Sequence, residues 1–430
     1  MKNNPIRIAL ISEHASPLAD LGGVDTGGQN VYVAQLAKEL AEQGHYIDVY
    51  TRKESAQNAE VVDWLPHVRV IHVKAGPAAV IAKENILQYM DDFRDNMQQF
   101  ILNEGLQYDL CHANFFMSGL VASGLKNALG IPFVITFHAL GHIRKLHQKD
   151  QDKFPVERLA IEKMLCREAD MIIAECPQDK EDLMNHCSAE EEKIAVAPCG
   201  YSHTEFYPVN KALARKMLNI KPEDKIILQL GRMVERKGID NVIQAVALSN
   251  QGSAEKIKLV IVGGDQDDMS SSNCPEYARL LNLAKSLGVA DEVIFAGKKT
   301  RKDLKYYYAA ADIFITTPWY EPFGITPLEA MACGTPVIGA NVGGIKYSVA
   351  DGVTGALVPP KDPAKLSQKI NELITSDVLL EQLGTNALAH VKTHFTWKKV
   401  ASLMHDVYRS VLLAAGNNVA ETDLKDTAAA

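Results

Sequence analysis

Short runs of β-branched and aliphatic residues recur along this chain with amphipathic stretches between them, an alternation that points to parallel sheets with helices on both faces. The first series passes through 6–12 (IRIALIS), 45–51, 68–73, 108–113, 132–138, 170–175 and 193–198. The pattern then restarts at 225–232 (KIILQLGR) and continues through 258–264, 292–297, 312–317, 335–340 and 355–360. Between the two series lies a turn-rich stretch, CGYSHTEFYPVN at 199–210. A chain of 430 residues exceeds the size at which one core keeps growing. Two doubly wound domains follow, 1–206 and 207–396, with the boundary near residue 207. Two helical stretches are expected after the last strand. The one at 397–415 is long enough to pack back on the first domain, and 416–430 reads as a disordered tail.

A net charge of −8 argues against a general nucleic-acid binder, so basic residues must matter locally. The longest apolar runs are strand-sized, short of the roughly 18 to 20 residues that span a bilayer, so no integral membrane association is expected. MKNNPIRIAL leads straight into a strand without a signal-peptide hydrophobic region, and the expected compartment is the cytoplasm. Seven cysteines without Cys-x-x-Cys spacing fit reduced thiols.

Two such domains imply a cleft, and in doubly wound sheets ligands sit at the carboxyl ends of the strands. The loops that carry chemistry all fall there. Residues 319–334, WYEPFGITPLEAMACG, place Glu321 and Glu329 on either side of a helix start. Thr326 can cap that helix, with Pro327 at its first position, Glu329 closing a capping box and Gly334 as the stop. Glu321 is left without a structural reason. Gly27 and Gly28 open the helix after the first strand; Thr26 and Gln29 can form its capping box, and the glycines let backbone amides approach an anion. The spacing is neither a dinucleotide fingerprint nor a P-loop. Arg232 and Lys237 sit in the loop after 225–232, where two cations can hold a diphosphate or form a solvated charge cluster with Glu235 and Arg236. His138 and Asn114 end neighbouring strands. Asp265 to Asp268 admit a metal or an acidic surface turn, and the turn is preferred, with no metal expected.

Taken together, Glu321-Pro-Phe-Gly324-Ile-Thr-Pro-Leu-Glu329, the loop Gly231-Arg232 to Lys237-Gly238, and Asp25-Thr-Gly-Gly-Gln29 resemble the retaining glycosyltransferases of family 4, with the GT-B fold of two Rossmann-like domains. The first loop is most similar to the sucrose-phosphate synthase branch. The resemblance implies a nucleotide-sugar donor held mainly by the second domain. Glu329 would take the ribose hydroxyls and Glu321 the sugar hydroxyls. Gly324, Ile325 and Thr326 would offer a helix N-terminus, Gly27 and Gly28 would face the donor, and Arg232 and Lys237 would clamp the diphosphate. His138 would bind the hexose near the reacting carbon. The acceptor, a sugar phosphate, would meet Gln29, Lys83, Asn114, Arg144 and Arg158. No cofactor or metal and no enzymic base is implied.

The chain departs from that branch at Phe115, where an aromatic hydroxyl is expected, and at Ile345-Lys346-Tyr347, where many relatives carry a Glu. The leading expectation is transfer of glucose from UDP-glucose to fructose 6-phosphate. Alternatives are another donor or acceptor (GDP-mannose, an inositol phosphate, unphosphorylated fructose), a sugar-nucleotide epimerase, and a catalytically silent binding module. An NAD-dependent dehydrogenase is disfavoured because neither strand-loop-helix start carries the dinucleotide fingerprint.

Overall fold

The computed structural model describes residues 5–19, 27–269 and 274–428, with side chains as far as 416. The chain divides into two compact units. The first is drawn from Met1–Ala19, Gln29–Pro198 and Trp397–Ala430, the second from Asp20–Gly28 and Cys199–Thr396.

The first unit is built on β1 (Arg7–Ile11), β2 (Tyr46–Arg52), β3 (Val61–Leu65), β4 (Val68–Val73), β5 (Leu110–Asn114), β6 (Phe133–Thr136), β7 (Met171–Ala174) and β8 (Ile194–Val196). Their order in the sheet is β3-β4-β2-β1-β5-β6-β7-β8. Seven of these eight strands run parallel, and β3 alone pairs antiparallel, on β4. The buried strands read as continuous apolar runs because helices cover both faces of a parallel sheet. β3 was not expected, since its residues are only half buried and VVDWL carries a weak alternation.

The second unit holds β9 (Lys225–Leu230), β10 (Ile257–Val262), β11 (Val293–Gly297), β12 (Ile313–Thr316), β13 (Val337–Ala340) and β14 (Gly355–Val358). All are parallel, in the order β11-β10-β9-β12-β13-β14. Both sheets reverse direction beside their first strand, between β1 and β5 and between β9 and β12. Such a switch point splays the loops on either side and opens a crevice at the carboxyl ends.

Three readings need correction. The units divide after Pro198 rather than near 207, because Tyr201 N donates to Phe395 O at 2.8 Å and ties the segment to the second unit. Three helices, not two, follow β14: Pro363–Ile374, Asp377–His394 and Trp397–Ala428. The last runs through the stretch read as a disordered tail, whose Ala, Leu, Glu and Lys are good helix formers and which lacks proline.

That last helix closes the first unit. Trp397 is buried and Tyr32 meets its ring edge-on at 5.6 Å. The hydroxyl of Tyr408 bonds Nδ1 of His112 at 2.7 Å, while Nε2 of His112 meets Thr136 Oγ1 at 2.8 Å. Burial, with His138 adding to it, pushes the His112 imidazole down to about 3, so it is held neutral at the centre of the sheet.

Candidate functional site

In the second unit the loops after β9 and β12 are joined across the switch point. Gly238 has φ +66° and packs so closely that a Cβ there would lie 2.1 Å from the carbonyl oxygen of Thr317, so only glycine fits. Trp319 N donates to Arg236 O at 2.9 Å. This closure sets Lys237 Nζ against the Glu321 carboxylate, with Arg236 Nη1 at 3.9 Å from the same group. The loop after β13 supports Glu321 from behind: Gly344 N donates to Glu321 O at 3.2 Å, and a Cβ on Gly343 would sit 1.9 Å from that oxygen.

The charges of this cluster are interdependent. Burial alone would raise the Glu321 carboxyl, but Lys237, Arg236 and Arg232 hold it below its ordinary value and therefore ionised. Burial pushes the Lys237 ammonium down to about 8; Glu321 opposes that shift, and Arg236 and Arg232 add to it. The loop thus carries more positive charge than one carboxylate balances, which suits a multiply charged anion.

Glu329 lies in the helix Ile325–Ala332. That helix begins two residues earlier than expected. Gly324, at φ +93°, is its N-cap, no side chain caps the first turn, and Thr326 and Pro327 lie within it. The capping-box reading of Glu329 therefore fails. Its oxygens instead meet Arg301 Nη1 at 2.9 Å and Tyr308 Oη at 3.0 Å. Burial raises the Glu329 carboxyl, with Arg301 and Tyr308 opposing. Arg301 also bonds Glu205 at 2.8 Å and stacks 4.7 Å from the Phe206 ring. Arg236 lies in the loop 231–238 but was given no role, and none of Arg301, Tyr308 and Glu205 is marked by a motif. Only the basic character of 298–305 hinted at a cation near the carboxylates.

In the first unit a chain of hydrogen bonds crosses the carboxyl ends of β5, β6 and β7. Asn114 directs its amide nitrogen at the carbonyls of Ile11 and His112, both at 3.3 Å, which leaves its Oδ1 to His138 Nε2 at 3.1 Å. Nδ1 of His138 meets Glu175 at 3.1 Å. Gln29 Nε2 donates to Asn114 O at 3.1 Å and Ser12 Oγ at 3.3 Å, so its carbonyl oxygen faces away from both. Gly28 begins the helix Gly28–Glu42 just before Gln29, with Gly27 preceding it; Asp25 and Thr26 lie outside the described residues. Phe115 and His138 both have positive φ, +89° and +57°. Strained residues of this kind cluster at ligand clamps.

Of the expected acceptor cations, Arg144 and Arg158 meet at one aromatic ring, Phe154. Lys83 opens a short turn beside Glu84, and Glu84 lies 3.5 Å from Arg144. Arg144 also pairs with Asp152 at 2.7 Å and stacks 4.9 Å from the Phe154 ring. Arg158 lies 4.5 Å from the centroid of the same ring, and 4.8 Å from those of Phe115 and Phe116. Its side chain is 2% exposed and bonded to Glu162 at 2.7 Å, so it forms the floor of the group rather than an open cation. Asp265 and Asp268 form no cluster of three or more metal-ligating side chains among the described residues. No helix there is long and apolar enough to cross a membrane.

Comparison with known proteins agrees with this architecture. The family described as Glycosyltransferase Family 4 matches residues 26–205, and that described as Glycosyl transferases group 1 matches residues 210–390. A D-inositol 3-phosphate glycosyltransferase of Corynebacterium diphtheriae is 32% identical over 407 residues, covering 94% of both chains. One from Nocardiopsis dassonvillei is 34% identical over 411 residues, covering 94% of this chain and 95% of its own. Among solved structures, sucrose-phosphate synthase from Thermosynechococcus elongatus superimposes with a TM-score of 0.87 at 34% identity, covering 95% of this chain and all of its own. The two parallel-sheet units, the paired family matches and these relatives place the chain in the GT-B glycosyltransferase family, and it is a transferase.

Proposed function

We propose that this glycosyltransferase moves a hexose, with retention, from a nucleotide sugar held by the second unit to a small phosphorylated polyol held by the first. UDP-glucose and fructose 6-phosphate are the leading pair. The observation that carries the donor reading is the Lys237, Arg236 and Arg232 cluster around an ionised Glu321 at the β9/β12 switch point. Arg232 and Lys237 neutralise the diphosphate, Glu321 accepts hydrogen bonds from the hexose, and Glu329 takes the ribose. As the bond from the anomeric carbon to the phosphate oxygen breaks, the acceptor oxygen bonds that carbon on the same face. The acceptor's proton passes to the departing phosphate oxygen. The protein supplies positioning and charge stabilisation, and no metal is needed.

The acceptor class is supported by Arg144, whose guanidinium is held by Glu84 and Asp152 over the Phe154 ring, and by the relatives, whose names contain a sugar phosphate or an inositol phosphate. An acceptor phosphate would compete with Asp152 and Glu84 for Arg144. Inositol 3-phosphate is the second reading, favoured by the curated relatives. Incubation with UDP-glucose, UDP-N-acetylglucosamine and GDP-mannose against fructose 6-phosphate, inositol 3-phosphate and fructose, with nucleoside diphosphate release and product NMR as readouts, tests both. Preference for unphosphorylated fructose, or epimerisation without glycoside, overturns the reading.

A further inference from the structure

The loop after β14 reaches the loop that carries Glu321 through Lys361, a residue outside every motif described above. Lys361 has φ +58°, in the left-handed region where glycine is at ease and a lysine is strained. Its backbone is held from both sides. Pro359 and Pro360 precede it, and Asp362 caps the helix Pro363–Ile374 by accepting from Lys365 N at 2.9 Å. That helix packs on the helix Ile239–Asn250, whose N-cap is Gly238 of the 231–238 loop, and Ser249 Oγ and Ser367 Oγ bond at 2.9 Å between them. From this fixed point the Lys361 ammonium lies 3.5 Å from the centre of the Trp319 ring, well inside the ~6 Å reach of a cation–π contact. Trp319 stands two residues before Glu321, and its amide donates to Arg236 O. The Arg236 guanidinium lies 5.3 Å from the ring of the intervening Tyr320. Lys361 therefore closes a ring of contacts: from the 231–238 loop to Trp319, on to the loop after β14, and back to Gly238 through the two helices.

We propose that Lys361 is a positioning residue for the donor: its ammonium clasps the Trp319 ring and so holds the Glu321 carboxylate where the hexose hydroxyls meet it. The inference rests on the donor reading proposed above. A lysine that served only to face water would gain nothing from a left-handed backbone, since water is reached equally well from an unstrained one. Contact with the indole is what offsets the strain. A guanidinium stacks on an aromatic face as an ammonium does, whereas methionine keeps the length of the side chain without its charge. Glycine removes the clasp and relieves the backbone together. The three substitutions therefore separate the side chain's part from the backbone's.

Hydrogen exchange at the Trp319 amide reads the clasp in the ligand-free full chain. Lys361→Met and Lys361→Gly should each speed that exchange by about threefold, and Lys361→Arg should restore the parent's rate. The KM for the nucleotide sugar should rise by about threefold in the same two variants and return to the parent's in Lys361→Arg. UDP affinity and the acceptor KM should stay as in the parent, because Glu321 meets the hexose and not the diphosphate. The thermal midpoint should hold in both variants. An unchanged Trp319 exchange rate in Lys361→Met overturns the clasp. Faster exchange with an unchanged nucleotide-sugar KM, or with an equal loss of UDP affinity, overturns its part in placing Glu321. A midpoint that falls in both variants assigns the effect to folding and overturns the proposal too. If no nucleotide sugar releases its diphosphate, the donor reading fails by itself, and the exchange rates still decide the clasp.

Discussion

Raising the pH from about 7 to about 9 should weaken binding of UDP by about tenfold, through Lys237. Burial, with Arg236 and Arg232 adding to it, brings the free ammonium down to about 8, below its ordinary 10.5. A bound diphosphate replaces lost solvation with charge-assisted hydrogen bonds and returns the group towards its ordinary value. The sign follows directly. Below about 8 the ammonium is charged in both states and binding is insensitive to pH; above it, free protein must take up a proton to bind, and affinity falls with each unit. At about pH 9 the loss is ~1.4 kcal/mol, one tenfold step. Calorimetric titration with UDP in two buffers of different ionisation enthalpy reads both the affinity and the proton uptake, which should approach one per site. Lys237→Met should abolish both the slope and the uptake, which separates Lys237 from ionisation of the uracil itself. It should also lower turnover by roughly 100- to 1000-fold, the range of ~2.7 to 4 kcal/mol for a lost donor to developing negative charge. A pH-independent affinity, or a Lys237→Met protein that keeps the parent's slope, would refute the diphosphate role.

Arg144→Ala should raise the acceptor KM through loss of ~1.5 to 3 kcal/mol of charge-assisted bonding while UDP affinity holds; an unaltered preference for fructose 6-phosphate over fructose would mean that Arg144 reads no phosphate. Turnover should survive excess EDTA, and restoration by Mg²⁺ after loss would return Asp265 and its neighbours to consideration. Tyr408→Phe removes the partner of buried His112 Nδ1 and should destabilise the first unit by ~1 to 3 kcal/mol in denaturant unfolding. No change in midpoint would show that the helix Trp397–Ala428 is not anchored through this bond.

Much of the fold was legible because a parallel sheet buried on both faces writes itself as continuous apolar runs. KIILQL and KLVIV could hardly be anything else. β3 escaped because an edge strand that is half exposed needs no such run. The helix beginning at Ile325 was misplaced by two residues. Thr-Pro-x-Glu is a good local start signal, yet Gly324, at φ +93° beneath Ile345, lets the helix begin earlier. The end of the chain shows the reverse case, where polar composition suggested disorder and helix propensity decided otherwise.

By itself the sequence determined two doubly wound units, all their strand segments but β3, and the loops that emerge at the carboxyl ends, because hydrophobic period and glycine placement are local properties. It also placed Glu321, Lys237, Arg232 and His138 on those loops. Only the tertiary structure decided which of these groups meet. Lys237 and Glu321 are 84 positions apart and join because β9 and β12 are neighbours across the switch point. Glu329 gives its oxygens to Arg301 and Tyr308 rather than to its own helix start. Glu13 reaches Ser118 across 105 positions because β1 lies beside β5. Strand order is set by how the two faces of each sheet bury their helices together. No local spacing records that order, so the partners of each charge had to be read from the fold.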